Sequence, residues 1–264
     1  MVNAIQQKSQ PNVLIIDHDA GFISEFSSQL QGLIHCSIDV VADLSAVLEK
    51  VTEKTYQVAL CNLDIPDTQS LELVSLLNRH DVSILGMTAT YSEEIHSHMT
   101  YLHLSDYVVQ DSHGAIEYAS DLTKRLIDNQ QRPLWVLSLS HFSASKLLGL
   151  LKYQRFPLSV FESLPEINRA LGLGSESMEL FSDEIPQMIL LTGVSNPLAE
   201  QLVEWLNQLR ETYSSHVLPI VLCGRPEDLR IALKLIKYGV NDFYNLHFSV
   251  EELYIKIERN LPKF

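Results

Sequence analysis

Carboxylates stand at the polar ends of apolar runs in this chain, and carboxylates so placed can attack an electrophile or hold a hard cation. Asp17-His18-Asp19 closes the run "NVLIID", and Thr88-Ala89 closes "VSILGM". "VALC" ends at Asn62, with Asp64 and Pro66 just beyond, and "DYVV" ends at Gln110. Asn62 stands at the rim where an acid would be needed for nucleophilic work, and an amide oxygen carries no charge. Asp64 reads as a loop acid, with a relocated nucleophile as the alternative. Asp17 and Asp19, with Asp64, either hold a divalent cation weakly or form an acidic rim without metal, so no tightly bound cofactor is expected. His18 reads as a polar neighbour of these acids or as a pH-sensitive group among them. His96 and His103 share a helical face, but no cysteine or carboxylate set joins them, so they and His98 read as surface residues. The glycine-containing "GLGSES" follows a helical pattern rather than a strand, which argues against a phosphate loop. No activated nucleophile or acid–base pair stands at any strand end, so no enzyme is expected.

The elements that position these residues repeat. Short Val/Ile/Leu runs alternate with amphipathic stretches: "NVLIID", then "AGFISEFSSQLQG" with Phe22, Phe26 and Leu30 on one face and Gly32 closing it. "LSAVLEKVTEK" reads as a helix with Leu44, Leu48 and Val51 inward, and "SEEIHSHMTYLH" as one opened by Ser92. Strands that are apolar throughout are buried on both faces, and their alternation with helices implies a parallel sheet covered on both sides. "NQQRP", residues 129–133, is a polar break, after which the pattern starts again at "LWVLSL". The last two helices are "PEDLRIALKLIKYG", closed by Gly239, and "SVEELYIKIERNL", capped by Ser249. Residues 173–184 are a polar, acidic interruption read as an exposed loop. The organisation expected is a flexible tail at 1–10 and two similar domains at 11–130 and 131–264.

The chain has 264 residues, 46% of them hydrophobic, and a formal net charge of −14. So negative a surface repels phosphate backbones, which argues against nucleic acid and for protein partners. Cys36, Cys61 and Cys223 lie far apart and read as reduced, buried thiols. There is no signal-peptide core at the start and no apolar run near the ~20 residues that span a bilayer. A soluble cytoplasmic protein is expected.

The four strand ends, in order, resemble the receiver domain of response regulators of two-component signalling. In that family an acidic pair follows strand 1, and the phosphoacceptor Asp ends strand 3, four residues before a proline. A Ser/Thr followed by Ala ends strand 4, and a Lys ends strand 5. The matching text is "VLIIDHDA", "VALCNLDIP", "ILGMTAT" and "SDYVVQDS". The resemblance implies an α/β fold of two tandem flavodoxin-like, CheY-like (βα)5 domains, each a five-stranded parallel sheet with helices on both faces. It also implies a degenerate pocket. Asn62 stands at the acceptor position, Gln110 at the Lys, and His18 replaces one acid, so only Thr88 matches outright. An acyl phosphate cannot form on an amide, and a Lys without its anion would be costly to bury. Neutral Gln110 opposite neutral Asn62 can hydrogen-bond instead. In the second half Leu139-Ser140, Thr192, Gly224 and Leu246 take the corresponding places. Tyr107 and Phe243 sit where the family has a switch aromatic, and both could equally be packed rings.

The expectation is a phosphorylation-independent signalling module acting through protein partners. These would be a second copy or an attached output domain, such as a cyclic-di-GMP synthase or a DNA-binding module. The family's usual contact face, made by the fourth helix, fifth strand and fifth helix, would span about 91–129 and 225–262. The end at "IERNLPKF" suggests a piece of something larger. The alternative is a phosphorylatable or metal-binding receiver that uses Asp64 or Asp17.

Overall fold

The structure is a computed structural model and describes residues 10–64, 67–89, 104–110, 112–173, 185–247 and 250–262. Pro66, His96, His98 and His103 with the stretch expected to be helical around them, Ser249, and residues 174–184 of the acidic loop lie outside the described residues. The chain divides into two compact units. One runs to Asp128 and includes Tyr153–Arg155; the other takes Asn129–Lys152 and Phe156 onward.

In the first unit β1 (Asn12–Ile16), β2 (Ser37–Val41), β3 (Val58–Asn62), β4 (Ser83–Thr88) and β5 (Asp106–Val109) form one sheet in the order β2-β1-β3-β4-β5. Every pairing is parallel. This is the flavodoxin-like order, in which ligand sites lie beyond the carboxyl ends of the strands. The helices are α1 (Ala20–Leu33), α2 (Leu44–Glu53), α3 (Asp67–Arg79) and α4 (Ala115–Asn129). Alternate strand residues feed two cores. Val13 and Ile15 pack with Phe22, Phe26 and Leu30 of α1 and with Leu122 and Leu126 of α4. Leu14 and Ile16 pack with Val47 and Val51 of α2 and with Leu73 and Leu77 of α3. Burial on both faces is the reason the strands are apolar throughout.

Two local readings need correction. Gly32 does not close α1: the helix runs through it to Leu33, and Ile34 leaves in extended conformation, so no left-handed residue is needed. In α2, capped by Asp43, Val47 and Val51, one helical step of four apart, face inward with half-buried Leu44 packed against the same core, while Leu48 is 50% exposed.

The second unit repeats the plan. Strands β6 (Leu134–Ser138), β7 (Leu158–Phe161), β8 (Met188–Thr192), β9 (Ile220–Gly224) and β10 (Asp242–Asn245) lie in the order β10-β9-β8-β6-β7, the same topology displaced by five strands. Helices α5 (His141–Lys152), α6 (Leu164–Ala170), α7 (Asn196–Thr212), α8 (Leu229–Ile236) and α9 (Val250–Asn260) accompany them. Trp135, Leu202, Trp205 and Leu206 anchor one core, and Leu190, Tyr244, Leu253 and Ile257 the other. Gly239, at φ +105°, closes the turn after α8 as expected. A Cβ there would lie 2.6 Å from Nε of Arg210. Arg210 donates to the carbonyls of Gly239, Tyr213 and Leu218, joining the end of α7 to the chain entering β9 and β10. Burial among carbonyls pushes its pKa down to about 10.

No helix among the described residues is long and apolar enough to cross a membrane. The three cysteines are free and buried.

Arg210→Lys will destabilise the fold by about 1–3 kcal/mol in urea denaturation, because a point-charge ammonium cannot serve three carbonyls at once.

Candidate functional site

The strand ends of the first unit converge on Asp17, which is 2% exposed. Parallel pairing sets Ile16 beside Cys61, and the next residues along, Asp17 and Asn62, meet through their side chains. Asp17 Oδ1 accepts from the N–H groups of His18 (2.7 Å) and Asp19 (3.3 Å) and from Asn62 Nδ2 (3.1 Å). Oδ2 accepts from Gln110 Nε2 at 3.0 Å. The two amides therefore do not pair with each other directly, as the sequence suggested. Both turn their NH2 groups onto the same carboxylate, because a buried acid needs donors more than an amide needs another amide. Gln110 is held there by its own N–H, which donates to Thr88 O at 2.9 Å. Cys61, wholly buried beside this cluster, has its thiol pushed up to about 12 by burial and then by the Asp17 charge, so it stays protonated and unreactive.

The other acids are occupied elsewhere. Asp19 and His18 are exposed, and the Asp19 carboxylate caps α1 by accepting from Gly21 N (2.9 Å) and Phe22 N (3.1 Å). Asp64 has its N–H on Asn62 Oδ1 (2.9 Å), while its carboxylate accepts from Thr88 Oγ1 (3.1 Å) and Ala89 N (2.6 Å). The donor set does not suit Mg²⁺, a hard ion that wants several anionic oxygens. Asp17 is saturated by N–H groups, Asp19 is a helix cap, and Asn62 presents its carbonyl to a backbone N–H. Among the described residues no three His, Cys, Asp or Glu side chains are grouped to hold a metal.

Tyr107 is half-buried, with its N–H on the carboxylate of the preceding Asp106. Arg125 of α4 lies 3.5 Å from that carboxylate. Asp242 and half-buried Phe243 repeat the arrangement in the second unit, with Lys256, Arg259 and Asn260 of α9 on the acid. Burial pushes the Asp242 carboxyl up, but Lys256, the Phe243 N–H and Asn260 outweigh it and hold it below its ordinary 3.8.

In the second unit no acid stands at the positions that correspond to Asp17, Asn62 and Gln110. Thr192 pairs in register with Cys223 as Asn62 does with Met87, and Leu246 N donates to Gly224 O (2.8 Å) as Gln110 N does to Thr88 O. Thr192 is fully buried and donates to Cys223 O at 2.8 Å, and Leu246 belongs to the core. The register partner of Thr192 on β6 is Ser138, so Ser138 holds the place of Asp17. Leu139 and Ser140 follow it in the places of His18 and Asp19. Ser138 was missed because "LWVLSL" reads as one strand; counting back from the first residue of α5 would have found it. Its hydroxyl donates to Ser140 O at 3.0 Å. Gly193, at φ +73°, lies so near that a Cβ would come within 2.4 Å of Ser140 N. At Gly224 a Cβ would come within 2.8 Å of the Asp228 carboxylate, which accepts from Arg225 N. At this end of the sheet the Ser138 and Thr192 hydroxyls are thus spent on backbone carbonyls, and the Asp228 carboxylate on a backbone N–H.

Comparison with known proteins agrees with the fold. Residues 13–115 match the family model of the response regulator receiver domain. Two solved structures, named as a putative and a probable two-component system response regulator/GGDEF domain protein, superpose with TM-scores of 0.76 and 0.75. Each is 24% identical, with 95% of this chain and 98% of the other covered. That likeness establishes the tandem α/β fold. No curated protein matches the chain.

Asp17→Leu leaves two side-chain amides and two backbone N–H groups without their acceptor and will cost about 3 kcal/mol or more in urea denaturation, whereas the polar isostere Asp17→Asn will cost less. Asp242 contributes stability above its unfolded pKa near 3.8 and loses it as the pH falls through its lower folded value. Asp242→Asn will therefore narrow the stability difference between pH 6 and pH 3, read from urea midpoints at the two pH values.

Proposed function

Starting from a response regulator receiver domain at residues 13–115, we propose that the chain is a signalling module that works without accepting a phosphoryl group. The observation that carries this is the closure of Asn62 and Gln110 around Asp17. At the two positions where the family needs a nucleophilic carboxylate and its cationic partner stand two amides, and both are spent on one buried acid. Asp64 is read as a structural acceptor rather than a substitute nucleophile, its two carboxylate oxygens accepting from Thr88 and Ala89. No cofactor, metal or catalytic turnover is part of this reading.

The output is protein contact in the cytoplasm, with a second copy or with an attached output domain. A GGDEF domain is the form suggested by the names of the two similar proteins. The second unit offers an apolar surface for it: Leu229, Leu233 and Ile236 form an exposed stripe on α8, with Leu233 56% exposed, and Ile255 is exposed on α9. Both helices fall within 225–262. The corresponding face of the first unit includes residues 91–103, outside the described residues. The charge of −14 supports protein rather than nucleic acid as partner.

Incubation of the full chain with acetyl phosphate and Mg²⁺ will add no phosphoryl mass by intact-mass spectrometry. A stable adduct abolished by Asp64→Ala would overturn the proposal in favour of a relocated acceptor.

A further inference from the structure

We propose that Asp64 is the resident anion of this pocket, an internal carboxylate that fills the oxyanion site formed by Thr88 Oγ1 and the Ala89 N–H. The inference rests on the reading above, that the pocket takes no phosphoryl group, and it gives the surviving threonine a role. A hydroxyl and the next residue's backbone N–H converge here on the two oxygens of a single carboxylate, at 3.1 and 2.6 Å. Such a donor pair accepts an oxyanion of any parentage, carboxylate or phosphate, since both offer two oxygens at similar spacing. Thr88 is completely buried at the end of β4, so its hydroxyl is directed by the fold rather than by solvent.

Asn62 holds the anion in place. Its carbonyl accepts the Asp64 N–H at 2.9 Å while its NH2 binds Asp17. One amide with a donor end and an acceptor end thus joins the two acids into a network running Gln110, Asp17, Asn62, Asp64, then Thr88 and Ala89. A carboxylate at position 62 could not donate to Asp17 and would place a second negative charge against it. The substitution that removes phosphorylation chemistry is thus also the one that lets the internal anion dock. The donors at the end of β4 are thus already occupied, and a free oxyanion meets a filled, negatively charged site.

Amide hydrogen exchange on the ¹⁵N-labelled full chain tests this. In Asp64→Ala the Ala89 amide will exchange about tenfold faster or more, as expected for loss of a charge-assisted bond. Adding formate, a carboxylate small enough for the vacated space, will slow that exchange back toward the wild-type rate, whereas chloride at equal ionic strength will not. Thr88→Ser will leave the Ala89 rate unchanged. An Ala89 rate indifferent to Asp64→Ala, or a rate that formate and chloride affect equally, would overturn the proposal. A phosphoryl adduct on the wild type would overturn the function proposed above without altering the Ala89 measurement, so the two failures are distinguishable.

Discussion

A buried carboxylate cannot be left without donors, and Asp17 is the buried carboxylate on which the first unit's pocket depends. At 2% exposure it has lost its water, and among the described residues no Lys or Arg is bonded to it. Four N–H groups take water's place, two from the following backbone and two from side-chain amides. Those amides come from the residues that end β3 and follow β5, so one acid ties together the ends of three strands. The demand on Asn62 and Gln110 is chemical: each must present an N–H while carrying no charge of the wrong sign. Asparagine and glutamine meet it.

The second unit shows the same backbone with that demand removed. Leu246 and Gly224 keep the main-chain bond that Gln110 and Thr88 make, so strand ends and register are held alike. Ser138 stands in the place of Asp17, and its hydroxyl is satisfied two residues away. With no anion to serve, the Gln110 position becomes a core leucine and Thr192 binds a strand carbonyl. What remains polar is the acid preceding the aromatic on the last strand. Asp106 and Asp242 both lean on basic residues of the helix that follows, a structural pairing independent of the pocket.

Much of this architecture was legible because it follows from burial. Val13 to Ile16, Val58 to Cys61 and Met188 to Leu191 are apolar throughout because both sheet faces are covered, and their alternation with amphipathic helices marks them as parallel strands. Helix faces were legible only to within a step. Val47 and Leu48 are equally apolar, and the phase set by the Asp43 cap decides which of them faces the core. Gly32 looked like a stop, but nothing in the path to Ile34 needs a left-handed residue.

What the pocket lacks can be read from residue types alone. Asn62 and Gln110 are amides whatever the fold does with them, and no geometry makes an amide a nucleophile. The repeat can be read in the same way, since "YGVNDFYNL" and "HLSDYVVQ" carry the same spacing from acid to strand end. The partners, by contrast, follow from how the chain folds. Three acids within reach of one strand edge are interchangeable on paper, yet Asp17 becomes a buried hub, Asp19 a helix cap and Asp64 the ligand of Thr88 and Ala89. Which role each takes depends on which donors the turns after β1, β3 and β4 point inward. Those directions are set by long-range strand pairing, which residue spacing along the chain does not encode.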